Sequence, residues 1–498
     1  MRNKIEQLRQ KILQIAELAA PSAPSIVNVP DLENRPVFLM APLSYAGMVH
    51  GERIASSLSN VIASVDDQSQ QPSIHGAPRW SSSQFLDNIH QYPNALAIDF
   101  SCSARGRLFF EQLCQTAGIE RLALEKPEVP LINELETRPL FLMAPTSFIA
   151  GMHAQSIVTQ SKQVVAAIDD NSTLDTIHGA PRWSSRQFIE KAHEYPDALA
   201  LDFSSTPHES SLVEKLCELS GIEQKTAILA AAQYGLAAVY EPARVYRLRT
   251  LSRLDDFLRL AERLDDDFSV FTLYSNLLFR LTYDPSYLRA AWATPSNEYF
   301  SACGDTSTFE VGQREHFCDC GAYQGPVVRK FLEASHYKYE SITAFEPDSA
   351  NYQKLQAMAS PHIPNFRAVR KAVSNTNEPL RFKETGTMSS HATADGNITV
   401  PSARLDDELE KLTLLKMDIE GFEAKALEGA SRLIRTQRPR IAVCVYHYAL
   451  DLLDVVDQLD KLVEGYHLRL RQHSSAYYYD LVLYASPVAG ASAPSWAR

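Results

Sequence analysis

Phe317–Gly325 reads FCDCGAYQG, an apolar run that ends in a glycine turn, and Ile342–Asp348 reads ITAFEPD, a second apolar run that ends in acids. About one helix of sequence separates them. Strand, glycine-rich turn, helix, strand, acid is the order of a nucleotide-binding corner. The turn lets a ligand approach the backbone, and the acid accepts ribose hydroxyls. A third block, LLKMDIEGFEAKALEGA at Leu414–Ala430, sets Asp418 and Glu420 where a further strand opens. Ligands collect at such strand ends in parallel sheets.

Working outward, strands are predicted at Glu315–Cys320, Ser341–Glu346, Asn365–Val369, Leu414–Asp418, Arg440–Tyr446, His467–Arg471 and Tyr478–Ala485. Helices fill Gly325–Glu333, Ser349–Met358, Phe422–Arg435 and Ala449–Glu464, and an insert from Pro379 to Leu409 separates the third and fourth strands. The last two strands leave no room for a helix, so they pair antiparallel through HSSAYYYD. The predicted fold class is α/β: a Rossmann-like seven-stranded sheet with an antiparallel end strand.

DCGAYQG, AFEPDSANYQKL and LKMDIEGFEAKALEGA, with the later AVCVYHYALDLLDV and LRQHSSAYYYDLVLYA, resemble the blocks of the FkbM family of S-adenosylmethionine-dependent methyltransferases. The resemblance covers roughly residues 284–485; LKMDIEGFE is its most specific part. It implies S-adenosylmethionine as cofactor and a sugar or polyketide-like hydroxyl of a small molecule as acceptor.

Each block also has a physical reading. Gly321, Ala322 and Gly325 form a turn that brings backbone close to the methionine portion of a cofactor. Asp319 is a candidate acceptor for its amino group, Glu346 for the ribose hydroxyls, and Asp348 for the adenosine edge. Asp418 is placed at the boundary between cofactor and acceptor. His447 and His473 follow or end predicted strands and are candidate general bases for a hydroxyl acceptor. Glu420 and Glu423 equally suit the first turn of a helix. His391 lies in the insert as a candidate lid residue. Asp418 and Glu420 could join a divalent metal, but two carboxylates are too few to argue for one, and no metal ligands are assigned.

The first half of the chain is a duplication. RPVFLMAP at Arg35–Pro42 returns as RPLFLMAP at Arg138–Pro145, and IHGAPRWSS at Ile74–Ser82 returns unchanged at Ile177–Ser185, both at an offset of 103 residues. Each copy alternates strands and helices and reads as a small α/β unit. A strand in each ends in paired acids, Asp66 and Asp67 or Asp169 and Asp170, as in modules preceding some sugar-modifying enzymes. Neither first strand is followed by GxGxxG, so a dinucleotide would lack its phosphate cradle. Trp80 and Trp183 read as packing residues, and His75 and His178 as turn residues. The expected divisions are a helix and linker at 1–34, repeats at 35–125 and 138–226, a helical connector at 227–300, the catalytic domain at 301–488 and a tail at 489–498.

The net charge of −12 argues against a phosphate-neutralising nucleic-acid binder. Seven scattered cysteines without a CxxC pair suit a reducing compartment. The first 20 residues suit an amphipathic helix, and no apolar run is long enough to span a bilayer, so a cytoplasmic location and no membrane partner are expected. The repeats are a candidate surface for homo-oligomerisation. The expected function is O-methylation of a sugar or other polyhydroxylated molecule. Two alternatives stand beside it: a nucleotide-sugar or NAD enzyme acting through the repeats, and a non-catalytic assembly protein with a degenerate methyltransferase domain.

Overall fold

The computed structural model describes residues 1–19, 31–43, 45–67, 72–101, 104–123, 135, 138–161, 163–300, 308–387, 390–393 and 396–487. The linkers on either side of the first repeat, Cys102, Cys303 and the C-terminal tail lie mostly or wholly outside these residues. The chain divides into two units. One comprises Lys11–Leu131 with Leu251–Leu254, and the other Met1–Gln10, Ile132–Thr250 and Asp255–Arg498.

Each repeat builds its own six-stranded, mostly parallel sheet. In the first, Val37–Met40 is central and fully buried, and pairs parallel with both Val61–Val65 and Leu96–Asp99. Such unbroken apolar runs are what a sheet covered on both faces demands. The tryptophans pack as expected: Trp80 lies 5.6 Å from Phe38, and Trp183 lies 5.7 Å from Phe141. His75 Nε2 lies 2.8 Å from the Pro42 carbonyl oxygen, and His178 Nε2 lies 2.7 Å from that of Pro145. The second acid of each pair anchors a helix start. Asp67 accepts from the Ser82 N–H at 2.7 Å, and Asp170 accepts from the Ser185 N–H at 2.8 Å. Ser81 with Gln84, and Ser184 with Gln187, complete capping boxes at the same places. Helix capping therefore gives Asp67 and Asp170 a structural role.

The C-terminal sheet contains β1 (His316–Cys320), β2 (Ser341–Phe345), β3 (Phe366–Val369), β4 (Leu414–Met417), β5 (Arg440–Cys444), β6 (Tyr466–Gln472) and β7 (Leu481–Pro487), in the order β3-β2-β1-β4-β5-β7-β6. The β1–β2 and β1–β4 pairs are parallel, whereas β7 runs antiparallel to both β5 and β6. The order reverses between β1 and β4, which opens a crevice at their C-terminal ends. The insert forms a small antiparallel sheet of Leu380–Lys383, His391–Ala392 and Ile398–Val400.

The second repeat, the connector and this sheet share one hydrophobic core. Leu140, Leu142 and Ile157 of the repeat cluster with Tyr246 and Phe279 of the connector and with Ala449, Tyr477 and Tyr478. The divisions expected at 138–226, 227–300 and 301–488 thus fall inside one compact unit. The connector helix Asp267–Thr282 starts at Asp266, whose side chain accepts from the Ser269 N–H, and ends at Tyr283 in the left-handed conformation. Its Arg280 is almost wholly buried, donates to the Ala449 carbonyl at 3.0 Å and lies 4.9 Å from the Tyr246 ring. No helix among the described residues is long and apolar enough to cross a membrane.

Candidate active site

Gly321 and Gly325 both have positive φ, +77° and +85°. A Cβ on Gly321 would stand 1.8 Å from the Asp418 carbonyl oxygen, so only glycine lets the β1 turn pass the end of β4. Gly325 then starts the helix Pro326–Ala334, with proline in its first turn.

Asp319 is fully buried in β1. Lys416 Nζ of β4 lies 3.1 Å from its Oδ1 but also 2.9 Å from the Gly321 carbonyl oxygen, to which it donates. Neither Asp319 oxygen receives a well-directed hydrogen bond. Burial pushes its carboxyl above the usual range against the pull of Lys416. Lys416 thus ties the glycine turn to β4. A lysine inside the otherwise apolar LLKM strand was the sequence signal for this buried pair.

Glu346 follows β2 and accepts from two backbone N–H groups, Tyr323 at 2.8 Å and Asp348 at 2.9 Å. Burial nevertheless raises its pKa to about 7. The carboxylate is fixed in orientation and retains unused acceptor capacity, which suits a pair of ribose hydroxyls.

Asp348 has a different job from the one expected of it. It caps the helix Ser349–Gln356 through the Ala350 and Asn351 N–H groups. Its other oxygen accepts from the Gly386 N–H at 2.8 Å and the Ser390 hydroxyl at 2.7 Å. Burial works to raise its pKa, but these donors, Ser390 foremost, hold it below the usual value. With four donors on a fully buried carboxylate, Asp348 fastens the insert to the corner rather than facing a cofactor.

Asp418 and Glu420 stand beyond β4 and remain partly exposed. His447, after β5, lies between them with Nε2 at 3.2 Å from Asp418 Oδ1 and 3.1 Å from Glu420 Oε2. Glu423 Oε1 is 3.3 Å from Nδ1. Burial alone would lower the His447 pKa, but Glu423, Glu420 and Asp418 hold it well above its ordinary value. Asp418 goes down to about 2: burial opposes this, and His447 and Lys416 outweigh it. The structure thus brings Asp418 and His447 together, but His447 has no exposed surface and favours its charged form.

His473 stands apart from these carboxylates. Its Nε2 lies 2.9 Å from the Tyr484 hydroxyl, and its Nδ1 lies 3.3 Å from the carbonyl oxygens of Ala293 and Thr294. Burial lowers its pKa to about 4. Both nitrogens of a neutral ring are occupied, so the residue braces the end of β6 against the last part of the connector.

Tyr240 of the connector carried no recognisable sequence signal. Its hydroxyl donates to Glu420 Oε2 at 2.6 Å, and its ring lies 4.5 Å from His391 and 5.8 Å from Tyr448. Glu420 itself has φ +62°, a strained value for a residue with a Cβ. A Cβ on the next residue, Gly421, would meet the Tyr448 ring at 2.3 Å. The result is a cluster of aromatic rings beside two carboxylates, built from the connector, the insert and the ends of β4 and β5.

The family model for the methyltransferase FkbM domain matches residues 319–470. Among solved structures, methyltransferase FkbM from Methylobacillus flagellatus KT is similar with a TM-score of 0.59 and 26% identity, over 70% of this chain and 90% of that one. This span exceeds residues 319–470, so the likeness includes segments outside the family match. A putative rRNA-methylase from Clostridium thermocellum is aligned at 10% identity and a TM-score of 0.25, over 35% of this chain and 88% of that one. No curated protein matches.

Proposed function

We propose that the chain moves a methyl group from S-adenosylmethionine to a hydroxyl of a sugar or another polyhydroxylated small molecule, a reading supported by the match of the FkbM methyltransferase domain model to residues 319–470. The observation that carries the cofactor reading is Glu346, held by two backbone N–H groups beside a turn that only glycine can make. The orphaned oxygens of Asp319 fit the same reading, since a cofactor amino group or a bridging water would satisfy them.

When bound, the cofactor supplies an electrophilic methyl on a sulfonium. The chain supplies position, which provides much of the acceleration in such transfers. Glu346 fixes the ribose, and the Gly321 turn fixes the methionine end. The rings of Tyr240, Tyr448 and His391 suit the apolar faces of a sugar ring, and Asp418 and Glu420 suit its hydroxyls. Asp418 stays ionised and is the group proposed to orient the reacting hydroxyl. His447 acts through the carboxylates around it, and His473 acts on the scaffold.

Calorimetric titration with S-adenosylhomocysteine tests the cofactor. Saturable binding is expected in the wild type and its loss in Glu346→Ala. A folded wild type that does not bind would refute the reading. Labelled methyl transfer to a panel of sugars then tests the acceptor class.

A further inference from the structure

Four carboxylates surround His447, which has no exposed surface. Asp418, Glu420 and Glu423 approach within 3.3 Å of a ring nitrogen, and Asp451 within 4.0 Å. Among the described residues, no lysine or arginine makes an ion pair with any of the four, and Lys416 is paired with Asp319.

The contacts also have the wrong directions for hydrogen bonds. Both nitrogens of His447 and Oε2 of Glu423 are buried without a hydrogen-bond partner, although carboxylate oxygens lie 3.1–3.3 Å from the ring. Asp418 and Glu420 face Nε2 and Glu423 faces Nδ1, so an ion would take one ring nitrogen and draw the carboxylate oxygens toward it. One ligand atom each from Asp418, Glu423 and His447 lies within 4.8 Å of the others.

We propose that Asp418, Glu423 and His447 form a binding site for one divalent cation, with Glu420 at its rim. This set adds Glu423 and His447 to the two carboxylates, Asp418 and Glu420, that the sequence suggested. The mixture of imidazole and carboxylate suits Mn²⁺, Fe²⁺ or Zn²⁺ better than a soft ion. Neighbours orient the ligands in the manner of metal sites: Tyr446 donates to Asp418, Tyr240 to Glu420, and the Ile419 N–H to Glu423. Asp418 and Glu420 are the partly exposed members, so the open side of the site faces the proposed acceptor region. The use of the ion rests on the methyltransferase reading. A bound ion would hold an acceptor hydroxyl and lower its pKa.

The test is Mn²⁺ binding to the full chain after chelator treatment, read from the electron paramagnetic resonance signal of free Mn²⁺. Saturable uptake of one Mn²⁺ per chain is expected below about 1 mM. Glu423→Gln and His447→Gln should each weaken it about tenfold or more. Glu346→Ala should lose S-adenosylhomocysteine binding yet keep Mn²⁺, so failure of the cofactor reading and failure of the metal reading give different results. Absence of saturable Mn²⁺ binding by the folded wild type overturns the proposal, as does unchanged binding in both ligand variants. The wild-type arm decides even where a variant fails to fold.

Discussion

Glu346 makes the cofactor reading testable by pH alone. Burial lifts its carboxyl from 4.5 to about 7, and its two backbone donors leave it the capacity to accept from ribose. Accepting hydroxyl hydrogens requires the ionised form. For a group titrating near 7 the ionised fraction is about nine-tenths at pH 8 and about one-tenth at pH 6. The Kd for S-adenosylhomocysteine should therefore rise about tenfold from pH 8 to pH 6, or about 1.4 kcal/mol. Folding of the free protein responds in the opposite sense. A carboxyl whose folded pKa is raised contributes stability below its unfolded value near 4.5, and that contribution is lost as pH rises through about 7. Ligand binding reverses that penalty, so the thermal shift produced by S-adenosylhomocysteine should grow with pH. Calorimetry at pH 6, 7 and 8, with melts at the same pH values, reads both effects. Glu346→Gln should bind weakly and without this pH dependence. A wild-type Kd constant within about twofold between pH 6 and 8 would refute the assigned role.

Other perturbations act on geometry. Gly321→Ala sets a Cβ 1.8 Å from a backbone oxygen at φ +77° and should cost the chain its cofactor binding or its solubility. Gly151→Ala meets nothing within 4 Å in the helix Phe148–Ser161 and should raise stability by about 0.5–1 kcal/mol in a urea melt. Lys416→Met strands the buried Asp319 carboxyl and should cost about 3 kcal/mol; adding Asp319→Asn should recover part of it in a double-mutant cycle. His153 Nε2 lies 2.5 Å from the Tyr477 hydroxyl, both groups being buried, so His153→Leu should destabilise by about 1–3 kcal/mol.

The sequence revealed what is written in local patterns. The apolar runs of the α/β class are buried strands with short parallel pairings, and the glycines of DCGAYQG lie where backbone crosses backbone. What depends on distant partners escaped it. Asp348 looked like a ligand because an acid after a strand has two uses, and four donors, two of them from the insert, decide for the cap. His447 and His473 looked alike as histidines near strand ends. One sits among carboxylates and the other is bonded to Tyr484, which only the packing of β4 to β7 determines. Tyr240 reaches Glu420 across 180 residues, with no local pattern to announce it.

The shared core has a consequence for the history and handling of the duplication. Two tandem copies begin as interchangeable spare parts. Here the second has spent that freedom, because His153, Met152 and Phe148 press on Tyr477 and Tyr479 of the final hairpin. Phe148 and Met152 correspond to Tyr45 and Val49 in the first copy, so recombination that exchanged the copies would put the wrong side chains against those tyrosines. A gene fragment cut at the family match, residues 319–470, would lose those tyrosines and β7 altogether. Expression boundaries belong upstream of the second copy.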